Sequence, residues 1–153
     1  MPGSQKVGAG ARTRARELMV QALYQKQIAG HSTAELVAQY REDPAYDRVD
    51  QAFFDEAFPV ISNGQDELEQ KIDGIIDRPL EQLDPIELSI LLIGVYELES
   101  RIDVPYKVVI NEGVNLARRF GAADSHKYVN ACLDAAAQSL REIEVAADSR
   151  PGG

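Results

Sequence analysis

Cysteine and histidine are scarce in this 153-residue chain, which contains one cysteine, Cys132, and two histidines, His31 and His126. A single cysteine cannot form a disulfide within the chain, and two histidines so far apart in sequence do not resemble a metal-ligand cluster. We therefore predict no cofactor and a reducing, cytoplasmic setting. No apolar run approaches the roughly 18 to 20 residues that cross a bilayer, and residues 1–16 lack the apolar core of a signal peptide, so we expect no membrane association.

Aromatic residues make up only 7% of the chain, and tryptophan is absent. Alanine, leucine, isoleucine and valine supply most of the apolar content, a balance that favours helices over a sandwich of β-strands. Apolar residues recur at three- and four-residue steps, and no stretch alternates as a half-buried strand does. The sequence therefore predicts an all-α fold, with a single helical domain over residues 11–146 and disordered tails at 1–10 and 147–153.

The usual spacing signatures of enzymes are missing, including glycine-rich phosphate loops, nucleophile elbows and paired zinc-binding cysteines. Asp124, Ser125 and His126 are the residue types of a hydrolase triad, but consecutive helical residues point in different directions and cannot form a proton relay. Cys132 falls on the apolar stripe of the last predicted helix, where a small buried side chain is a better interpretation than a nucleophile. We predict that the chain is not an enzyme.

Basic residues are outnumbered, with 16 lysines and arginines against 25 acids and a formal net charge of -9. Their distribution is uneven: residues 1–30 sum to +4, 31–103 to -13, 104–130 to +2 and 131–153 to -2. The total argues against a nucleic-acid partner, whereas two basic segments in an acidic chain are expected if they form one positive surface. Uneven scatter by chance is the alternative at this point.

Glycine and proline divide the chain into predicted helices. The clearest start is at residues 84–87, where Asp84 can cap the helix, Pro85 fits its first position and Glu87 stands at its third. The helix that follows, to about Ser100, is apolar nearly all round and should be the buried centre of the fold. The others are predicted at 12–29 before Gly30, from Thr33 to Asp43, from Asp50 towards Pro59, through 68–76, at 106–120 before Gly121, and from Asp124 or Ser125 onwards. Whether residues 50–77 form one kinked helix or two stays open.

Three stretches of the sequence stand out together. They are RTRARE at 12–17 with VQALYQ at 20–25; LDPIE at 83–87 with GVYEL at 94–98; and DVPYKVVINE at 103–112 with FG at 120–121, DSHKYVN at 124–130 and LD at 133–134. In combination they resemble the NusB family, and the resemblance covers most of residues 12–140. The third stretch is specific, whereas an arginine-rich start alone is a weak signal.

The resemblance to the NusB family implies an all-helical fold of two packed bundles, with about six or seven helices. It also implies a role in transcription antitermination. Family members pair with the small-subunit ribosomal protein that acts as NusE, and the heterodimer binds the boxA element of nascent RNA, notably ribosomal RNA, within a complex on RNA polymerase. The competing interpretation is a protein-interaction module of a ribonucleoprotein assembly that has no sequence-specific RNA binding of its own. The sequence leaves open whether the free chain is a monomer or a homodimer.

The family's RNA surface matches two segments of this chain, the arginine-rich start and residues 120–128. The resemblance therefore implies a set of RNA-binding residues, in which cations attract phosphates while Asp124 and Tyr128 contact bases. The members of this set are Arg12, Arg14, Arg16, Lys107, Phe120, Asp124, Lys127 and Tyr128. Glu87 is implied in the contact with the ribosomal partner, a basic protein that the acidic middle of the chain would attract.

Each of these assignments has a structural alternative. The arginines can form a solvated helix start, Asp124 can cap the last helix, Tyr128 can pack half-buried, and Glu87 can belong to a helix cap. The chain also departs from the family pattern, since Thr13 stands where an arginine is common and Ala131 where a glycine is common. One arginine fewer implies somewhat weaker attraction to phosphates.

Overall fold

A computed structural model describes Gly8 and residues 10–149 of the chain. This described part contains eight α-helices and no β-strand, which confirms the predicted all-α class. The helices are α1 Ala11–Ala29, α2 Thr33–Arg41, α3 Gln51–Asn63, α4 Gln65–Asp73, α5 Pro85–Ser100, α6 Tyr106–Phe120, α7 Ser125–Leu140 and α8 Glu142–Asp148. They fall into two compact units that divide the chain after Asn63. Among the described residues, no helix is both long enough and apolar enough to cross a membrane.

The first unit contains α1, α2 and α3 around an apolar core. α1 begins after Gly10 and ends at Gly30, and both glycines have a positive φ, of 82° and 74°, a backbone conformation that favours glycine. Ser32 and Glu35 form a reciprocal capping box at the start of α2. The fully buried side chains of this core include Leu23, Leu36, Phe54, Phe58 and Ile61.

α3 starts where the sequence predicts, because the Asp50 carboxylate accepts a hydrogen bond from the Phe53 N–H at 3.1 Å. The helix continues through Pro59 to Asn63, so Pro59 does not end it. α4 then begins at Gln65 as a separate helix. Residues 50–77 therefore contain two helices rather than one kinked helix.

The second unit is organised around α5, against which α4, α6 and α7 pack. Every residue of α5 from Leu88 to Leu98 is buried, which confirms its predicted central position. Asp84 caps the helix as predicted, since its carboxylate accepts a hydrogen bond from the Ile86 N–H at 2.7 Å. Cys132 on α7 is buried as well, in agreement with its interpretation as a core residue.

Two glycines allow α7 to approach α5 and α6 closely. A methyl group added at Gly94 or at Gly113 would lie 2.5 Å from a methyl carbon of Leu133, which is fully buried. Because Gly113 also faces Val129 while Gly121 faces Ser125, α6 and α7 run antiparallel. This close packing fixes the start of α7 against the end of α6.

We expect Gly94→Ala to lower the free energy of unfolding by about 1 kcal/mol, because overpacking costs about 1–3 kcal/mol and the gain in helix propensity returns about 1 kcal/mol. In a Leu133→Ala background the added methyl has space, so the same substitution should be neutral or stabilising. Urea unfolding followed by circular dichroism measures both effects. An equal destabilisation in the two backgrounds would contradict the close contact.

α8 is attached to the start of α6 by polar contacts. Glu144 accepts a hydrogen bond from the Tyr106 N–H at 2.9 Å, and Asp148 accepts one from the Tyr106 hydroxyl at 3.0 Å. Asp148 also pairs with Lys107, with Nζ and Oδ2 2.6 Å apart. Residues 147 and 148, predicted to begin the C-terminal tail, are therefore helical. Residues 150–153 of that tail, and residues 1–7 and 9 of the N-terminal one, lie outside the described part.

We expect the contact between α8 and α6 to loosen in acid. Hydrogen bonds from Lys107 and Tyr106 lower the pKa of Asp148. At Glu144, burial raises the pKa, but the hydrogen bonds from the Tyr106 N–H and from Arg141 outweigh burial, so the pKa is lowered. A carboxylate whose pKa is lowered in the folded state contributes its full stabilisation when the pH is above its unfolded-state pKa, about 4. The stabilisation is lost as the pH falls through the folded-state pKa.

The amide resonances of α8 should therefore shift as the pH falls below about 4. The double variant Glu144→Gln/Asp148→Asn should show the acid-state resonances already near neutral pH. Wild-type resonances that stay in place throughout the acid range would contradict this account of how α8 is held.

Candidate nucleic-acid interface

Two arginines at the start of α1 are accessible and held in place by the fold. The Arg12 side chain is 38% exposed, and its Nε lies 3.2 Å from Oδ2 of Asp50. The Arg12 guanidinium also stacks over the Phe53 ring, 4.7 Å from its centre. Arg14 is exposed and donates a hydrogen bond from Nε to the Arg48 carbonyl at 3.0 Å. A guanidinium has five N–H donors, so each arginine keeps donors for a phosphate oxygen.

Arg16, by contrast, is buried, with only 3% of its surface exposed. Its guanidinium carbon lies 5.3 Å from the centre of the Phe53 ring, so the side chain contributes to the packing of α1 on α3. A phosphate contact by Arg16 stays a prediction, and it would require the side chain to leave this position. Arg12 and Arg14 are therefore the accessible arginines of the predicted set.

Residues 120–128, which we call the α6–α7 turn, expose an acid and a base side by side. The Asp124 side chain is 85% exposed and lies 3.7 Å from Nζ of Lys127, which is 74% exposed. Asp124 occupies the position before α7 but makes no side-chain capping hydrogen bond. The capping alternative is therefore not observed, and the carboxylate oxygens remain available to accept hydrogen bonds from a base.

A glycine makes the α6–α7 turn tight. A methyl group at Gly121 would lie 2.8 Å from both the Ala117 carbonyl oxygen and Cβ of Ser125, so a side chain there would push α7 away from the end of α6. Phe120, the last residue of α6, is half-buried, and the Arg119 guanidinium lies over its ring at 5.4 Å. The tight turn thus contains the half-buried Phe120 and the exposed Asp124.

Tyr128 lies one helical turn after Asp124 on the same side of α7 and is half-buried. The Arg78 guanidinium covers its ring at 4.2 Å from the centre, and its hydroxyl donates a hydrogen bond to Oδ1 of Asp77 at 3.4 Å. Burial raises the pKa of Tyr128, so the hydroxyl stays protonated, while the hydrogen bond from Arg78 lowers the pKa of Asp77. A ring face that accommodates a planar guanidinium also suits a planar base.

Glu87 connects the start of α5 to the start of α7. Its Oε2 accepts a hydrogen bond from the Ser125 hydroxyl at 2.8 Å, and the residue is half-buried. Its side chain makes no hydrogen bond to the start of α5 within the described residues, so the helix-cap alternative is not observed. A contact of Glu87 with a protein partner stays a prediction.

Lys107 lies at the opposite end of α6 from Phe120, about 20 Å away along the helix axis. Its side chain is 63% exposed and pairs with Asp148. The structure therefore does not bring Lys107 to the α6–α7 turn. Its contact with RNA stays a prediction, and it would require RNA that extends along α6.

A polar groove lies between α6 and α7 beside the turn, and the sequence analysis did not identify it. The groove has a volume of about 470 Å³ and is lined by Asn111, Val114, Asn115, Arg118, His126, Lys127 and Asn130. We call it the α6–α7 groove. Its three polar residues on α6 are Asn111, Asn115 and Arg118. They recur at steps of four and three residues, which places them on one stripe of the helix. This spacing is the sequence signal that indicates the groove.

Comparison with known proteins relates this chain to one family. The model of the NusB family matches residues 13–138. The chain is 48% identical over 139 residues to the transcription antitermination protein NusB of Pseudomonas entomophila, covering 91% of this chain and 84% of the relative. It is 43% identical over 149 residues to the protein of that name from Pseudomonas savastanoi, covering 97% and 90% respectively. A solved structure of NusB from T. maritima shares the fold, with a TM-score of 0.75 at 23% identity over 88% of this chain and 96% of that one.

Proposed function

This chain belongs to the NusB family, and on that premise we propose that it is a transcription antitermination factor. In this proposal it binds the boxA element of nascent RNA, notably in ribosomal RNA transcripts, as a heterodimer with the small-subunit ribosomal protein that acts as NusE. The heterodimer joins the antitermination complex on RNA polymerase, and its place of action is the cytoplasm.

The observation that carries the proposal is the grouping of three complementary side chains in the α6–α7 turn. Asp124 offers exposed acceptors and Lys127 offers an exposed cation. Tyr128 offers a ring whose hydroxyl bonds to Asp77 and which Arg78 covers. Single-stranded RNA is recognised through unpaired bases that stack on aromatic rings and hydrogen-bond through their edges. Cations add attraction to the phosphates. The turn carries side chains suited to all three types of contact.

The distribution of charge supports two different partners. Arg12 and Arg14 in the first unit, and Lys127 in the second, are the accessible cations that we assign to RNA phosphates. Residues 31–103 carry a net charge of -13, which favours a basic protein and speeds its association. We assign Glu87 to the contact with that ribosomal protein.

We propose that the chain catalyses no reaction. The Ser125 hydroxyl donates its hydrogen bond to Glu87 and is therefore not activated by His126. Burial raises the pKa of the Cys132 thiol, which keeps it protonated and unreactive near neutral pH. Neither residue has the environment of a nucleophile.

Titration of a boxA RNA and a scrambled RNA of equal length tests the proposal, with and without the ribosomal partner and at two salt concentrations. We expect the heterodimer to prefer boxA, the partner to raise the affinity, and both affinities to fall as salt increases. Equal affinity for the two RNAs at each salt concentration, with the partner still bound, would favour the protein-interaction module instead.

A further inference from the structure

We propose that the α6–α7 groove binds the sugar–phosphate backbone of the RNA whose bases contact Asp124 and Tyr128. In this arrangement Arg118 and Lys127 pair with phosphates, and the asparagines of the groove hydrogen-bond to ribose hydroxyls and phosphate oxygens. The inference rests on the proposed function and extends it to a surface that base recognition does not require. It assigns Arg118, absent from the RNA-binding set derived from the sequence, to the RNA interface.

The groove is a consequence of the close antiparallel packing of α6 and α7. Asn111, Asn115 and Arg118 form a stripe along α6, and His126 and Asn130 face it from α7. Leu133 fits against Gly113 beneath them, so the helices are held together while their polar flanks diverge at the surface. The volume of about 470 Å³ lies within the range of sites that bind small ligands or nucleotides.

The chemistry of the groove suits a polyanion with hydroxyl groups. No Asp or Glu is among its seven lining residues, although the chain as a whole has a net charge of -9. The two cations therefore face the groove without a carboxylate in its lining, and three amides supply both donors and acceptors. Val114 is the single apolar lining residue, whereas a protein-docking surface needs a larger apolar centre.

The polar groups of the groove are free to bind a ligand. Among the described residues, the side chains of Asn111, Asn115, Arg118, His126 and Asn130 have no hydrogen-bond or ion-pair partner. Within residues 10–149, the one ion-pair partner of Lys127 is the exposed Asp124 carboxylate, 3.7 Å away. No internal contact has to be broken at Arg118 before a phosphate can bind.

The position of the groove makes it continuous with the proposed base contacts. Asp124 and Tyr128 lie on one flank of the first turn of α7, while His126 and Asn130 lie on the other flank. Lys127 lies between the two flanks. A strand that crosses this turn spans about one helix diameter, ~10 Å, so one RNA molecule can reach both flanks.

The test compares Arg118→Gln with Lys71→Gln, a matched control. Both substitutions remove one positive charge from the second unit, but Lys71 is on α4 and pairs with Glu99, outside the groove. With the heterodimer and boxA RNA, we expect Arg118→Gln to weaken binding about threefold to fivefold at low salt. We also expect it to reduce the slope of log affinity against log salt concentration by about 0.7, as one lost phosphate contact on a single strand requires. Lys71→Gln should leave the slope unchanged.

Because a backbone contact carries no sequence information, Arg118→Gln should weaken binding of boxA and scrambled RNA by the same factor. In addition, the side-chain NH₂ resonances of Asn111, Asn115 and Asn130 should shift when RNA is added. An Arg118→Gln slope equal to that of wild type, or a loss of ribosomal-partner affinity with RNA binding unchanged, would overturn the proposal.

The groove proposal can fail while the proposed function stands. In that case the wild-type heterodimer prefers boxA and Tyr128→Ala weakens RNA binding, whereas Arg118→Gln leaves RNA binding unchanged. If the wild-type heterodimer shows no preference for boxA, the proposed function fails, and if it binds no RNA at all, the groove proposal fails with it.

Discussion

Tyr128→Ala is expected to weaken boxA binding by about 1–3 kcal/mol, the effect of removing one aromatic ring that stacks on a base. The ring is held for this contact, since its hydroxyl is hydrogen-bonded to Asp77 and one face packs against the Arg78 guanidinium. An arginine stacked on a tyrosine can yield the ring to a base and pair with a phosphate instead. Fluorescence anisotropy with labelled RNA measures the loss.

Tyr128→Phe is the matched control for the stacking contact. It keeps the ring and removes only the hydroxyl that contacts Asp77, so its RNA affinity should stay close to that of wild type. Circular dichroism should show the same helical content for both variants. If Tyr128→Phe weakens binding as much as Tyr128→Ala, the hydroxyl rather than the ring makes the contact, and the stacking role is wrong.

Arg141→Met is expected to lower the free energy of unfolding by about 3 kcal/mol, because the Leu98 carbonyl and Oε1 of Glu144 lose a buried charged donor. Arg141 is 5% exposed, and its guanidinium closes the end of α5. Nε donates to the Leu98 carbonyl at 2.6 Å, and Nη2 donates to the carbonyls of Glu97 and Arg101 at 3.1 and 2.9 Å. Methionine fills similar space but donates no hydrogen bond.

Arg118→Met is the control for Arg141→Met, since it makes the same substitution at an exposed arginine whose side chain has no hydrogen-bond or ion-pair partner in the described part of the chain. Its effect on stability should stay within about 0.5 kcal/mol of zero. Arg141→Lys should lie between the two, because lysine keeps the charge but lacks the planar fork of donors. Urea unfolding measures all three, and equal midpoints for Arg141→Met and Arg118→Met would contradict the buried role of Arg141.

Helix starts and ends were predictable where short-range chemistry determines them. Three capping residues each determine a helix end within a few residues, and the structure shows each in its predicted place. They are Asp84 before α5, Asp50 before α3 and Gly30 after α1. The continuation of α3 through Pro59 was not predictable, because the burial of its apolar face outweighs the local penalty of proline. The extent of α8 was missed for a similar reason, since Asp148 is held by Tyr106, 42 residues earlier in the chain.

The candidate site was predictable as segments but not as individual contacts. The resemblance indicates the arginine-rich start and residues 120–128, and the charge count indicates the broader basic segments 1–30 and 104–130. Neither indicates that Arg16 is buried or that Lys107 pairs with Asp148. The contact of Arg78 with Tyr128 was also invisible in sequence, because it joins residues far apart in the chain that only the tertiary fold brings together.

We propose that the start of α1 and the α6–α7 turn each contact boxA RNA. An NMR titration tests it most directly, with the isotope-labelled chain bound to unlabelled ribosomal partner and one equivalent of boxA RNA. We predict that amide shifts concentrate at residues 12–16 and 120–130 and saturate together at that single equivalent. Shifts confined to one of these segments, or spread evenly over α2 and α4 with neither segment affected, would contradict the account.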